Sequence, residues 1–171
     1  MFILFFVAIG IIGAFLQLVR GKKKRSIAEI FAVILLWALI VNGITGIFAF
    51  FGHVFNGPEV AKSIGWPAGN PFQFEVGIAN LGVGVLGFMC IWRRDDFWLA
   101  TIVMASIFSW GAAYGHIDQI VRFQNFAPNN AGVILYYGIF NPIVLFGLYF
   151  VTMALSKRDK QSFEEVIKQA A

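Results

Sequence analysis

His53 and His116 are the two histidines of the chain, and each lies near the end of a long apolar run. Imidazole can bind a metal, relay a proton near neutral pH, or hold the polar head of an apolar ligand. Glu75 falls at a similar height in a third apolar run, so His53, Glu75 and His116 are the candidates for a metal site or a proton relay. Imidazole and carboxylate together suit Zn, Fe or Mn. Around them Asn80, Gln119, Tyr137 and Asn141 add neutral hydrogen-bonding groups, and with the two histidines they form the candidate ligand-binding set. Each has a plainer reading. A histidine at a helix end often satisfies backbone groups. Glu75 opens a helix, where negative charge already suits the dipole. Asp118 and Arg122 at i, i+4 make a local ion pair. No H-x-x-x-H or H-E-x-x-H spacing strengthens the metal reading.

The elements that position these side chains follow from composition. Of the 171 residues, 59% are hydrophobic and 13% charged, with 20 Phe and a single Cys. A soluble domain carries about 25% charged residues. The balance excludes a disordered chain, a disulfide scaffold and a soluble enzyme domain, and it indicates an all-α integral membrane bundle. A span needs roughly 20 mostly apolar residues. Five stretches qualify, over about 2–19, 27–55, 72–92, 97–123 and 132–155, followed by a tail at 156–171. They read as one domain, a four-helix core with a peripheral N-terminal helix. The net charge of +4 is not a nucleic-acid signal, because the cations sit in short clusters between apolar runs.

Those clusters orient the chain. Arg20, Lys22, Lys23, Lys24, Arg25, Arg93, Arg94, Lys157, Arg158, Lys160 and Lys168 fall on one side, eleven of the thirteen basic residues; Lys62 and Arg122 fall on the other. The positive-inside rule then predicts an external N-terminus and a cytoplasmic C-terminus. The first segment reads as a retained anchor, since its basic residues follow the apolar run and no small-x-small cleavage site is present. On this topology both histidines lie towards the outer face.

Helix ends are also written in the residues. Ser26 with Glu29 predicts a capping box, and Asn70, Pro71 and Gln73 predict a second one. Asp96 can cap the fourth span, and Ser162 with Glu165 a separate tail helix with Phe163, Val166, Ile167 and Ala170 on one face. Glu59 to Ser63 reads as a short helix between turns, and Pro128-Asn129-Asn130 as a turn. Four stripes predict packing seams: Asn42, Thr45, Ala49 and His53; Gly77, Asn80, Gly84 and Gly87; Ala105, Ser109, Ala112, His116 and Gln119; and Tyr137, Asn141, Val144 and Leu148. Gly82-x-Gly84-x-x-Gly87 matches a dinucleotide fingerprint in letters only, because no strand precedes it. Cys90 reads as a small core residue.

Residues 63 to 145 resemble an uncharacterised family of small prokaryotic multi-pass membrane proteins. The likeness lies in Gly65-Trp66-Pro67, Asn70-Pro71-Phe72-Gln73-Phe74-Glu75-Val76-Gly77, Ala79-Asn80-Leu81-Gly82, Gly111-Ala112-Ala113-Tyr114-Gly115-His116 and Asn125-Phe126-Ala127-Pro128-Asn129-Asn130-Ala131-Gly132. It implies a fold and no catalytic residues. A looser likeness, on helix count and a Glu before Gly-rich apolar sequence, is to DoxX-type four-helix membrane proteins. The resulting expectation is a prokaryotic inner-membrane protein, a non-enzymatic binder or accessory subunit. An outer-facing polar pocket built by the second to fifth spans would hold a hydrophobic or amphipathic molecule near His53 and His116. The alternatives are an oxidoreductase component with metal or quinone and a homo-oligomeric channel or transporter. The expected partners are the lipid bilayer, that small molecule, and other membrane subunits or further copies of the chain, with no nucleic acid; the sequence names no cofactor.

Overall fold

The computed structural model describes residues 2–21 and 24–170, with side chains described through residue 165. The described residues form helices and turns and no strand: α1 (Phe2–Arg20), α2 (Ile27–Phe55), α3 (Gly57–Ile64), α4 (Phe72–Met89), α5 (Asp96–Phe123), α6 (Pro128–Ala131) and α7 (Val133–Ala170). Five stretches are long and apolar enough to cross a membrane: α1, α2, α4, α5 and the run through α6 and α7. Helix is the only open structure that satisfies every backbone N–H and C=O in hydrocarbon, so an apolar chain of this kind becomes a bundle. Large apolar side chains cover the outside: Phe5, Ile11, Phe15, Ile107, Tyr114, Val121 and Phe150 are all at least 60% exposed, a surface compatible with lipid contact.

α2 is the hub. It packs most extensively on α4, then on α7 and α1, while α5 packs on α7. α1 touches the rest almost solely through α2 and buries only Phe6, Gly10 and Ala14, the peripheral placement that its plain sequence predicts. Near the basic end of the bundle, Leu35, Leu36, Leu39, Cys90, Trp98, Ile102, Leu145 and Tyr149 form the main apolar cluster. Cys90 belongs to that core; its Sγ lies 3.5 Å from Thr101 Oγ1.

The α2–α4 seam is set by glycine. A Cβ on Gly46 would stand 2.7 Å from Asn80 O and 2.8 Å from Gly84 N, and one on Gly87 would stand 2.7 Å from Gly43 Cα. The two backbones therefore touch without side chains between them, the arrangement small residues allow in membranes. Gly82 faces outward with nothing within 4 Å, so the letter match to a dinucleotide fingerprint is helix packing at two of its three glycines.

Several helix ends depart from expectation. The Ser26–Glu29 box forms, with Glu29 N–H donating to Ser26 Oγ at 3.3 Å and Ser26 N–H to Glu29 Oε2 at 2.9 Å. The second box does not: Asn70 Oδ1 accepts from Phe72 N–H at 3.0 Å, but Gln73 is engaged elsewhere, and Pro71 precedes the helix rather than opening it. α5 begins at Asp96 with Asp95 ahead of it at φ 55°, and neither carboxylate caps. α4 stops at Met89, short of Trp92, because residues 90–93 turn back on the helix end and Trp98 Nε1 donates to Cys90 O at 3.0 Å. α3 is longer than the Glu59–Ser63 expectation. No separate tail helix starts at Ser162, since α7 runs unbroken to Ala170. Phe163 is exposed, and the side chains of Val166, Ile167 and Ala170 lie outside the described residues.

The stripes shift by a residue in places. On α5 the buried positions are Trp98, Thr101, Ile102, Ala105, Ser106, Ala113 and His116, with Ala112 exposed. On α7 they are Leu135, Pro142, Leu145, Tyr149 and Thr152, with Tyr137, Asn141 and Leu148 at the border and Val144 turned out.

Candidate functional site

At the end of the bundle away from the basic clusters, two histidines sit in separate polar stations. His53, near the end of α2, places Nδ1 2.7 Å from Gln73 Oε1 on the first turn of α4. Gly77 leaves the room: a Cβ there would press on Val54 and come within 3.4 Å of His53 Cβ. Gln73 is buried, so its amide turns inward to the imidazole instead of back to cap its own helix.

His116 is the more enclosed ring, 8% exposed on α5. Its Nδ1 lies 2.8 Å from Asn130 Oδ1, and the Trp66 ring packs on it at 5.6 Å between centroids. Asn130, in α6, is fully buried and uses its whole hydrogen-bonding capacity. Oδ1 also accepts from Trp66 Nε1 at 3.2 Å, and Nδ2 donates to His116 O and Asn125 O at 3.2 and 2.9 Å. Indole N–H can only donate, so the Asn130 amide orientation is fixed. His116 must then donate from Nδ1 to Asn130 Oδ1. Asn125 completes the network by donating to Ile64 O at 2.8 Å, which ties the α5–α6 connection to the end of α3.

Deeper in the bundle a second polar level spans α2 and α7. Asn141 Nδ2 donates to Asn42 Oδ1 at 3.4 Å. One turn away Tyr137 places its hydroxyl beside Thr45, whose own hydroxyl donates to Val41 O at 2.8 Å. That neighbour does not meet hydrogen-bond geometry: Asn42 Nδ2 and Tyr137 Oη are both buried and unpartnered, as is Ser106 Oγ on α5. Pro142, buried beside Asn141, has no N–H, so the α7 backbone is also one bond short at this level.

The remaining candidates are placed differently. Asn80 donates to Val76 O of its own helix at 2.9 Å and sits at the α2–α4 seam. Gln119 is half-buried and contributes its backbone carbonyl, which accepts from Asn125 N–H at 3.2 Å. Glu75 is exposed, and among the described residues no three His, Cys, Asp or Glu side chains gather within reach of one metal ion. Asp118 and Arg122 form the surface ion pair their spacing predicts.

Sequence reasoning passed over Gln73, Asn130, Asn125 and Trp66. Gln73 reads as a cap and Asn130 as a turn residue, while Asn125 and Trp66 enter only through the family likeness. Nothing in Pro128-Asn129-Asn130 separates buried Asn130 from exposed Asn129. Residues 1–158 match DUF6790, a family of unknown function. No curated protein matches the chain. No solved structure matches it either.

Proposed function

Since the chain belongs to a family of unknown function and folds as an apolar helical bundle, we propose a binding role, without enzymatic chemistry, in a prokaryotic cytoplasmic membrane. In this reading the N-terminus is external, the C-terminus cytoplasmic, and the histidine stations lie at the outer face, as the eleven-to-two split of basic residues favours. The ligand is a hydrophobic or amphipathic small molecule that carries an oxygen acceptor such as a carbonyl. It would enter below His53 and His116 and reach the level of Asn42, Tyr137 and Asn141.

The unpartnered pair Asn42 Nδ2 and Tyr137 Oη carries this reading. A buried donor with no acceptor costs about 1–3 kcal/mol, and hydrocarbon offers no water to relieve it. Both donors belong to helices that already meet through Asn42 and Asn141, so one guest oxygen could serve both. The stations above supply rigidity, because Asn130 and Gln73 fix the imidazoles by hydrogen bonds to Nδ1.

Native mass spectrometry of protein extracted in mild detergent tests the reading. The wild type should retain a small molecule that Asn42→Leu and Tyr137→Phe both lose while staying folded. Wild-type protein carrying no mass beyond detergent and bulk lipid, or variants that retain the same molecule, would leave the polar level as a packing seam. Reporter fusions before Met1 and after Ala171 test the orientation, and a cytoplasmic N-terminal reporter would overturn it.

A further inference from the structure

We propose that the groove between α1 and α2 at the basic end binds an anionic phospholipid, with the phosphate against Arg20, Arg25 and Gln17 and an acyl chain along Leu16 and Trp37. The groove has a volume of about 490 Å³ and is lined by Gly13, Leu16, Gln17, Arg20, Gly21, Arg25 and Trp37. Its chemistry is divided along its length. The end towards the chain reversal holds two guanidiniums and an amide. The end towards the bundle interior is hydrocarbon and indole.

The donors are available. Trp37 Nε1 donates to Gln17 Oε1 at 2.7 Å, and since indole N–H can only donate, the Gln17 NH2 is left facing away from Trp37 with no partner among the described residues. Arg25 folds back over Gly21, where a Cβ would come within 2.9 Å of its guanidinium, and gives one N–H to Gln17 O at 3.1 Å. A guanidinium has five N–H donors, so the rest of the fork stays open to a phosphate. Arg20 is exposed, and neither arginine meets a carboxylate among the described residues.

A neighbouring groove supplies the contrast. It is similar in size, about 470 Å³, but is lined by Lys24, Ser26, Ala28, Glu29, Ala32, Ser156 and Asp159. Two carboxylates against one ammonium would repel a phosphate there. Basic pockets between spanning helices are where anionic head groups bind, and each arginine near such a surface is worth about fivefold in affinity. A lipid fits the α1–α2 groove better than a free anion because its apolar wall belongs to helices that face hydrocarbon, with Leu16 39% exposed.

The test offers the full chain in detergent equal amounts of phosphatidylglycerol and phosphatidylcholine and counts retained lipids by native mass spectrometry. The wild type should prefer phosphatidylglycerol. Arg20→Gln/Arg25→Gln should lower that preference about 25-fold, and Lys24→Gln should leave it within about twofold, because Lys24 lines the other groove. If the double variant does not fold, Arg20→Gln alone, which removes no side-chain hydrogen bond among the described residues, should lower the preference about fivefold. An unchanged preference in the arginine variants, or an equal loss in Lys24→Gln, would overturn the site. Displacement of phosphatidylglycerol by inorganic phosphate at millimolar concentration would also overturn it, since the apolar wall would then contribute nothing.

Discussion

Gly46→Ala is the smallest perturbation that reaches the α2–α4 seam. The added methyl would lie 2.7 Å from Asn80 O and 2.8 Å from Gly84 N, against about 3.4 Å for ordinary contact, so the deficit is about 0.7 Å. Both obstacles are backbone, and neither can rotate aside. The helices must separate by most of that distance at the point of closest approach. A radial gap of 0.5–1 Å forfeits about a quarter to a half of each dispersion contact it opens. The contacts at risk are those around Gly43, Gly84 and Gly87, in the most extensive helix pair of the fold. Overpacking of this kind costs about 1–3 kcal/mol. Gly82→Ala is the matched control: the same substitution in the same helix pair, with nothing within 4 Å. It should leave stability unchanged or raise it by up to about 1 kcal/mol, the helix-propensity gain of Ala over Gly. Unfolding in mixed micelles, followed by circular dichroism as denaturing detergent rises, measures both. Equal midpoints for the two variants would refute the backbone contact between α2 and α4.

Asn130→Ala removes the acceptor for Trp66 Nε1 and His116 Nδ1 together, and at about 1–3 kcal/mol for each stranded donor it should destabilise the fold by about 2–6 kcal/mol. Asn129→Ala, at an exposed position one residue away, should be near neutral in the same melt. Arg122→Gln should shift stability by no more than about 1 kcal/mol, because the Asp118 pair is largely solvated, with 67% of the arginine side chain exposed; added salt should shrink the difference further. Trp98→Phe should cost about 1 kcal/mol through the lost bond to Cys90 O, read as a lower melting temperature.

Hydropathy decided the all-helical class and the number of long apolar helices. Five apolar runs separated by charge clusters and turn residues leave a helix bundle as the arrangement that can satisfy every backbone group, and the boundaries of α1 and α2 follow within a residue. Local chemistry decided the Ser26–Glu29 cap, because both partners lie within one helical turn. The glycine stripe on α4 was legible as a close-packed face for the same reason: periodicity is a local property. What the stripe met was not legible. Gly43 and Gly46 sit among Val, Asn, Ile and Thr on α2, and only the approach of α4 gives them a role. Gln73 shows the limit most plainly. Its spacing from Asn70 fits a capping box, yet His53 from another helix offers a half-buried partner 20 residues away in sequence, and the amide goes there. Asn130 reaches Trp66 across 64 residues, and Asn141 reaches Asn42 across 99. Such pairings depend on which helices are neighbours and how they are rotated. Those are set by the sum of many weak contacts over the whole bundle, so a polar residue's position on its own helix fixes its face, while the three-dimensional packing decides its partner.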